Sequence, residues 1–412
     1  MSRAARRLLA TVLCATVALV FAPAQGMASS PPALSVRGAI LVAPSTGQAL
    51  LAVHPNRQLA IASATKLMTA LVTLEHVHRL GTMFAAPDYY SAATDSQIGL
   101  VPGERMSVHD LLLALMLPSA DDAAEDLAYN VGHGSAVRFV GMMNARAREL
   151  GLRHTHYTTP IGLDTPGNYS TAADLVKLAG YDLTHSPYFA RIVDLRSAVL
   201  RSGDHSRYVV NRNVLVGEVP WIDGVKTGHT ADAGYVLVAS GHRDGMTLVS
   251  AVLGTTSEGE RDANTMALLD YGFAHFHPVA PVHAGEVLAR PTVRERPGVR
   301  VPVIAARSFT RVLPRHARVE LRLHAPRQLT GPLRRHADVG TVVVLANGRP
   351  IARVPLVLAR TLPAVSGLTL AARATSKPLM LVIIAIVLAA AIALIVSRRR
   401  RSRAARRSLE AA

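Results

Sequence analysis

The chain has almost no cysteine: one in 412 residues, Cys14. Cys14 lies inside an apolar leader, and the preceding Thr11-Val12-Leu13 does not form a lipobox. The chain after the leader therefore has no thiol. That excludes disulfides, cysteine nucleophiles and thiolate metal sites, and it suits an exported protein that does without disulfides. Aromatic residues are scarce, at 4% of the chain, and they do not interleave with basic residues as on a nucleic-acid surface. His-Glu-x-x-His does not occur. The paired histidines His76/His78, His154/His156 and His275/His277 have no convergent carboxylates in the pattern, so they read as solvated side chains. No metal, other cofactor or nucleic-acid partner is expected, and there is no internal repeat.

The two ends carry most of what is unusual. Arg3, Arg6 and Arg7 precede an apolar run from Leu8 to Ala22, and small residues follow at Ala24, Gly26 and Ala28. This is the pattern of a secretory signal peptide, residues 1–28, with cleavage expected after Ala28 and Ala24 also fitting. At the other end, Leu379 to Val396 holds no charge. Eighteen helical residues rise about 27 Å, close to the hydrocarbon thickness of a bilayer. An arginine-rich tail, 397–412, follows and is expected in the cytoplasm. The alternative, a buried core helix, seldom lacks every polar residue and ends in an arginine cluster. The body is then expected outside the cytoplasm, held by one transmembrane helix (379–396) after a linker (366–378). Of the formal charge of +17, the leader supplies +3 and the tail +6, which leaves +8. That is a mildly basic surface facing a negatively charged envelope.

Residues 35–44 and 48–53 alternate around Pro44-Ser45-Thr46-Gly47, which predicts an opening hairpin. A helix is expected from Ser63 to about His78, closed by Gly81. Ser107 reads as the cap of a helix that Pro118 stops, with further helices over 123–131, 135–150 and 171–183, the last capped by Ser170. Strands resume near Ala198, form a hairpin through Arg243-Asp244-Gly245, and give way to a helix over 260–276. Strands at both ends of a helical middle predict one α/β domain (29–280) with an antiparallel sheet flanked by helices. Short Val-rich runs broken by Gly, Pro and Arg predict a small β-rich domain over 281–365.

Three clusters carry chemistry. In Ile61-Ala62-Ser63-Ala64-Thr65-Lys66, the serine and lysine are three residues apart and share a helix face, so hydroxyl and amine can meet. That suits a serine nucleophile with a lysine base, although the spacing alone fits a capped amphipathic helix as well. Ser119-Ala120-Asp121 and Lys226-Thr227-Gly228 follow in order. Together the three resemble the triplet of the active-site serine penicillin-binding proteins and class A β-lactamases. The longer strings around them, with Gly162-Leu163-Asp164, Asp223 to Thr230 and Leu268 to Phe273, are similar to the low-molecular-mass D-alanyl-D-alanine carboxypeptidases.

The resemblance implies a β-lactamase/transpeptidase-like fold and removal of the terminal D-alanine from peptidoglycan stem peptides, with β-lactams as inhibitors. It implies that Ser63 attacks, Lys66 takes its proton and Ser119 relays a proton to the leaving amine. Lys226 would supply positive charge, and Thr227 would bind the substrate carboxylate. Gly228 would let the backbone approach, and the N–H groups of Ser63 and His229 would form the oxyanion hole. Asp121 departs from the pattern, which usually has Asn there. A carboxylate only accepts hydrogen bonds, and beside Lys66 it favours the charged lysine, so acylation is expected to need a higher pH. Asp164 reads as a turn residue. A β-lactamase resembling class A would carry Glu-x-x-Leu-Asn, and neither Glu125, Glu149 nor Glu218 has that context. A D,D-endopeptidase and a non-catalytic peptidoglycan-binding scaffold stay open beside the carboxypeptidase.

Overall fold

The computed structural model describes residues 30–89, 96–294, 296–364 and 377–409. The expected leader and most of the expected linker lie outside the described residues. The chain divides into two compact units, Met1–His277 and Pro278–Ala412.

In the first unit, the turn at 44–47 folds β1 (Gly38–Ala43) back on β2 (Gln48–Val53), with Gly47 at a φ of 64° that favours glycine. A single 3₁₀ turn, Ala62–Thr65, leads into α1 (Lys66–His76). Ser63 therefore sits in this tight turn just before the α-helix, not inside its first turn. The helix stops at His76, because Val77 is extended and its N–H caps Thr73, well before Gly81. The short strands β3 (Met83–Ala85) and β4 (Arg105–Ser107) precede α2 (Val108–Met116), α3 (Asp121–Val131) and α4 (Ala136–Glu149). Ser107 caps α2 by accepting from the Asp110 N–H, as its position predicts. Thr171, not Ser170, caps α5 (Ala172–His185) by accepting from Asp174 N–H; Ser170 is bridged to Leu59 instead. The sequence reading missed α6 (Pro187–Val193), which is seven residues long, too short to show a period. Its start is nonetheless chemically clear, with Ser186 as cap and proline in the first turn.

After β5 (Ser197–Leu200), β6 (Arg207–Val210) and α7 (Leu215–Glu218) come β7 (Ile222–Thr230), β8 (Gly234–Arg243), β9 (Met246–Thr255) and α8 (Glu258–His275). The sheet order is β2-β1-β9-β8-β7, antiparallel throughout, so β7 is an edge strand. Alternate residues face opposite sides. Ile40, Val249, Ala251 and Val238 join the core under the helical block, while Leu41 and Leu248 meet Gly272 of α8. Both faces are covered, which is why β8 and β9 read as nearly unbroken apolar runs. The first eight residues of α1, Lys66 to Thr73, are all buried, so this part of the helix is enclosed on every side. A helix so enclosed carries any polar side chain into the interior, and Lys66 is one.

The second unit is β-rich. The chain runs through β10 (Phe276–Val282), β11 (Val287–Ala289), β12 (Thr292–Val293), β13 (Arg296–Arg300), β14 (Val303–Ala305), β15 (Phe309–Pro314), β16 (Val319–His324), β17 (Gln328–Leu329), β18 (Asp338–Ala346) and β19 (Arg349–Leu358). Its main sheet has the order β11-β14-β19-β18-β16, and its core is built on Val303, Val342, Val344, Val354 and Leu356. α9 (Lys377–Leu409) is longer than the apolar stretch alone predicts, because arginine and alanine, both good helix formers, continue it through the tail. Met380–Arg401 is long and apolar enough to cross a membrane, with mean hydropathy of 3.1 and none of it buried. A core helix would be covered; this one exposes its apolar side chains.

Candidate active site

The site forms where the 3₁₀ turn and α1 meet the edge strand β7 and the entry to α3. Gly228 sets the approach. A Cβ built there would lie 3.0 Å from the Ser63 nitrogen and from Ala62 Cβ, and 3.1 Å from Ile61 O. Glycine thus lets β7 close on the backbone of the Ser63 turn. Ser63 itself is half-buried, flanked by buried Ala62 and Ala64.

Lys66 Nζ lies 2.8 Å from Ser63 Oγ, 2.5 Å from Asp121 Oδ1 and 3.0 Å from Ile161 O. Its side chain is fully buried and that of Asp121 is 8% exposed. Three acceptors saturate an ammonium. A neutral amine has two N–H groups and one lone pair, and it fits the same geometry if Asp121 and Ile161 O accept while the Ser63 hydroxyl donates. The arrangement is thus compatible with both ends of a proton transfer from Ser63 to Lys66.

Ser119 lies two residues before Asp121, with a φ of 69° in the left-handed region. A residue other than glycine seldom adopts that conformation, and holding it costs on the order of 1–3 kcal/mol. Its Oγ is buried and has no hydrogen-bond partner among the described residues. Asp121 opens α3, its N–H donating to Ser96 O at 2.7 Å.

Lys226 is buried in β7 and donates to Thr227 O at 3.0 Å. Burial holds its amine well below the ordinary lysine value; the positive charges of Lys66, Arg212 and Arg261 add to this, and Asp121 opposes it. Lys226 shares its strand face with Gly228, which meets the Ser63 turn, and its surroundings disfavour a standing charge on its amine. Thr227 is buried next to it, and His229 is exposed, stacked on Tyr235 with ring centroids 4.0 Å apart.

The loop after α4 completes the wall. Ile161 O holds Lys66, and Pro160 O accepts from the Thr69 hydroxyl at 2.6 Å. Gly162, at φ 96°, rests on Ala62: a Cβ there would come 2.0 Å from Ala62 O. Asp164 accepts from Thr230 Oγ1 at 2.6 Å and from the Asp232 N–H at 3.0 Å, so it ties the loop to the end of β7. The sequence reading as a turn residue understated it. The sequence reading weighed Glu125, one helical turn after Asp121, and set it aside for lacking the Glu-x-x-Leu-Asn context. Burial, then the charge of Asp121, pushes its carboxyl up to about 7, against the pull of Lys66. Its i, i+4 spacing from Asp121 on α3 is the signal that ties it to the site. Among the described residues, no group of three or more His, Cys, Asp or Glu side chains could hold a metal ion.

An antiparallel sheet with a helical block, and a buried lysine on a serine at its edge strand, define a serine peptidase of the penicillin-binding kind. The model of the D-alanyl-D-alanine carboxypeptidase family matches residues 25–257, and the chain belongs to that family. It is 28% identical over 364 residues to the D-alanyl-D-alanine carboxypeptidase DacF of Bacillus subtilis, covering 85% of this chain and 93% of that one. It is 31% identical to DacD of Salmonella typhimurium, covering 82% and 88%. Penicillin-binding protein 5 from Haemophilus influenzae superposes with a TM-score of 0.67 at 28% identity, over 81% of this chain and 99% of that one.

Proposed function

We propose that the protein removes the terminal D-alanine from peptidoglycan pentapeptides through an acyl-enzyme on Ser63. The observation that carries this is the buried Lys66 amine 2.8 Å from the Ser63 hydroxyl. Ser63 Oγ attacks the carbonyl between the two D-alanines while Lys66 accepts its proton. The N–H groups of Ser63 and His229 hold the oxyanion; one such donor is commonly worth about 3–4 kcal/mol. Ser119, with its otherwise unpartnered hydroxyl, passes the proton to the leaving amine. The substrate carboxylate meets Thr227 and Lys226, and its charge favours protonation of that buried amine. Water then releases the acyl group, and β-lactams, which acylate the same serine, stay attached.

The sites sit in an exported domain (29–280), reached after removal of the leader (1–28) and followed by the β-rich domain (281–365) and the linker (366–378). α9 anchors the protein as a single span, with the catalytic unit outside the cytoplasmic membrane and the basic tail inside. Fluorescent penicillin should label the wild type and not Ser63→Ala, and purified enzyme should release D-alanine from a pentapeptide. Labelling that survives in Ser63→Ala would end this assignment, and absence of labelling in the wild type would leave a peptidoglycan-binding scaffold. One observation favours a second reading: Glu125, with a carboxyl tuned near neutrality beside Lys66 and Asp121, could activate a deacylating water as in a β-lactamase. Sustained nitrocefin turnover without D-alanine release would select it.

A further inference from the structure

The charge of this chain is divided unevenly. Residues 30–277 carry 18 basic and 23 acidic side chains, a net of −5. Residues 278–364 carry 15 arginines, no lysine and 4 acids, a net of +11. Arg296 and Arg311 are half-buried, and the other thirteen arginines are exposed. So many like charges repel one another and oppose folding of a small unit. Solubility alone would be served by mixed signs. Arginine dominates the whole chain, with 41 of its 45 basic residues, and its planar fork matches a ligand that accepts two parallel hydrogen bonds, as phosphate does.

The arginines converge in two places. Arg353 on β19 and Arg322 on β16 both pair with Val343 of β18, so they stand in one row on one face of the sheet. The Arg307 guanidinium joins them, donating to Arg353 O at 3.2 Å. Elsewhere, Arg290, Arg300 and Arg327 line a cavity of about 350 Å³ together with Thr292. Arg360 reaches its edge, donating to Arg300 O at 3.2 Å.

We propose that the β-rich unit docks on the anionic phospholipid headgroups of the membrane entered by the chain's own C-terminal helix, with the Arg290–Arg300–Arg327 cavity taking a headgroup phosphate. The proposal rests on α9 being a membrane span. Residues 365–376 separate the last described residue of the β-rich unit from α9. Twelve residues reach at most about 40 Å when fully extended, so the unit cannot leave the neighbourhood of the bilayer. Electrostatic attraction fades within about 10 Å at ordinary salt, and the tether allows the contact that this range demands.

The test uses full-length protein in nanodiscs of phosphatidylcholine alone or with phosphatidylglycerol, read by hydrogen exchange. Peptides covering 290–300 and 322–327 should exchange more slowly in the anionic discs, and about 0.5 M salt should abolish the difference. Each arginine at an anionic surface contributes about a fivefold factor, so R290Q/R300Q/R327Q should weaken docking about 100-fold and return exchange to the phosphatidylcholine level. R290K/R300K/R327K should retain part of the protection. These positions are exposed, so unchanged melting temperatures would show that the variants fold. Equal exchange in both discs would overturn the proposal. So would protection by a soluble glycerol-phosphate polymer with none from anionic lipid, which would assign the surface to wall polymer. If the protein stays outside the discs, the spanning reading fails separately. Binding to anionic vesicles from solution then reads the surface directly, and none would overturn the proposal.

Discussion

Asp121→Asn is expected to move the alkaline requirement of Ser63 acylation to lower pH. The carboxylate sits 2.5 Å from Lys66 Nζ in a buried pocket. At that distance and an effective dielectric near 20, the attraction is about 7 kcal/mol gross. An asparagine oxygen keeps the hydrogen bond, and the surroundings relax, so we take a third of this, about 2 kcal/mol, as the part lost. At about 1.4 kcal/mol per pH unit, this corresponds to about 1.5 units. The sign follows from which form of Lys66 acts. The neutral amine is the base, the carboxylate favours the ammonium, and removing the carboxylate frees the neutral amine at lower pH. The measurement is the second-order rate of labelling by a fluorescent penicillin from pH 5 to 10, with melting temperature as the folding control. Superimposable profiles, or a limb displaced to higher pH, would refute the reasoning.

Gly228→Ala is expected to cut acylation by about 100-fold or more while the protein still folds, because the added methyl meets the Ser63 turn at 3.0 Å and shifts it from the oxyanion position; comparing labelling rate with melting temperature checks this. Arg207→Ala should cost about 3–5 kcal/mol in chemical denaturation, since Glu104 receives two guanidinium nitrogens at 2.8 and 2.9 Å and would be left buried and unpaired. Asp126→Asn should stabilise the protein near pH 8 clearly more than near pH 5. Its buried carboxyl, with Oδ2 unpartnered, is pushed up to about 7 mainly by burial. A raised acid stabilises the fold below its unfolded value and loses that contribution as pH rises through about 4 to 7, so the benefit of the amide grows through that window and is complete above it. Melts at both pH values decide it. Leu388→Arg should move the protein from the carbonate-resistant membrane fraction into solution, since an arginine at mid-span costs about 3 kcal/mol.

The elements best legible in the sequence were those with a local chemical signature. Ser107 announced α2 through its cap, and the β8–β9 hairpin was visible in its Arg-Asp-Gly turn. The candidate site was readable as three short clusters: two sit where elements meet, and Lys226-Thr227-Gly228 lies within β7. What stayed hidden depends on distant partners. That Thr171 rather than Ser170 caps α5 is decided by Leu59, more than a hundred residues earlier, which draws Ser170 into a bridge. Ile161 enters the site through a backbone oxygen, which no side-chain pattern encodes. Glu125 gains its character from burial beside Asp121, a property of the packed helix and not of the local string. The charge of +8 on the body looked mild because two strongly opposed portions were averaged.

The 160–164 loop is held at both ends to opposite sides of the cleft. Ile161 O grips the lysine on α1, and Asp164 grips Thr230 and the Asp232 N–H at the end of β7. Gly162 presses between them on Ala62. The loop therefore works as a calliper that gauges the width of the cleft. A lineage under antibiotic pressure could reset that width through Asp164 or Thr230 and leave Ser63, Lys66 and Lys226 unchanged. Resistance arising this way would be invisible to any survey that inspects the catalytic residues alone.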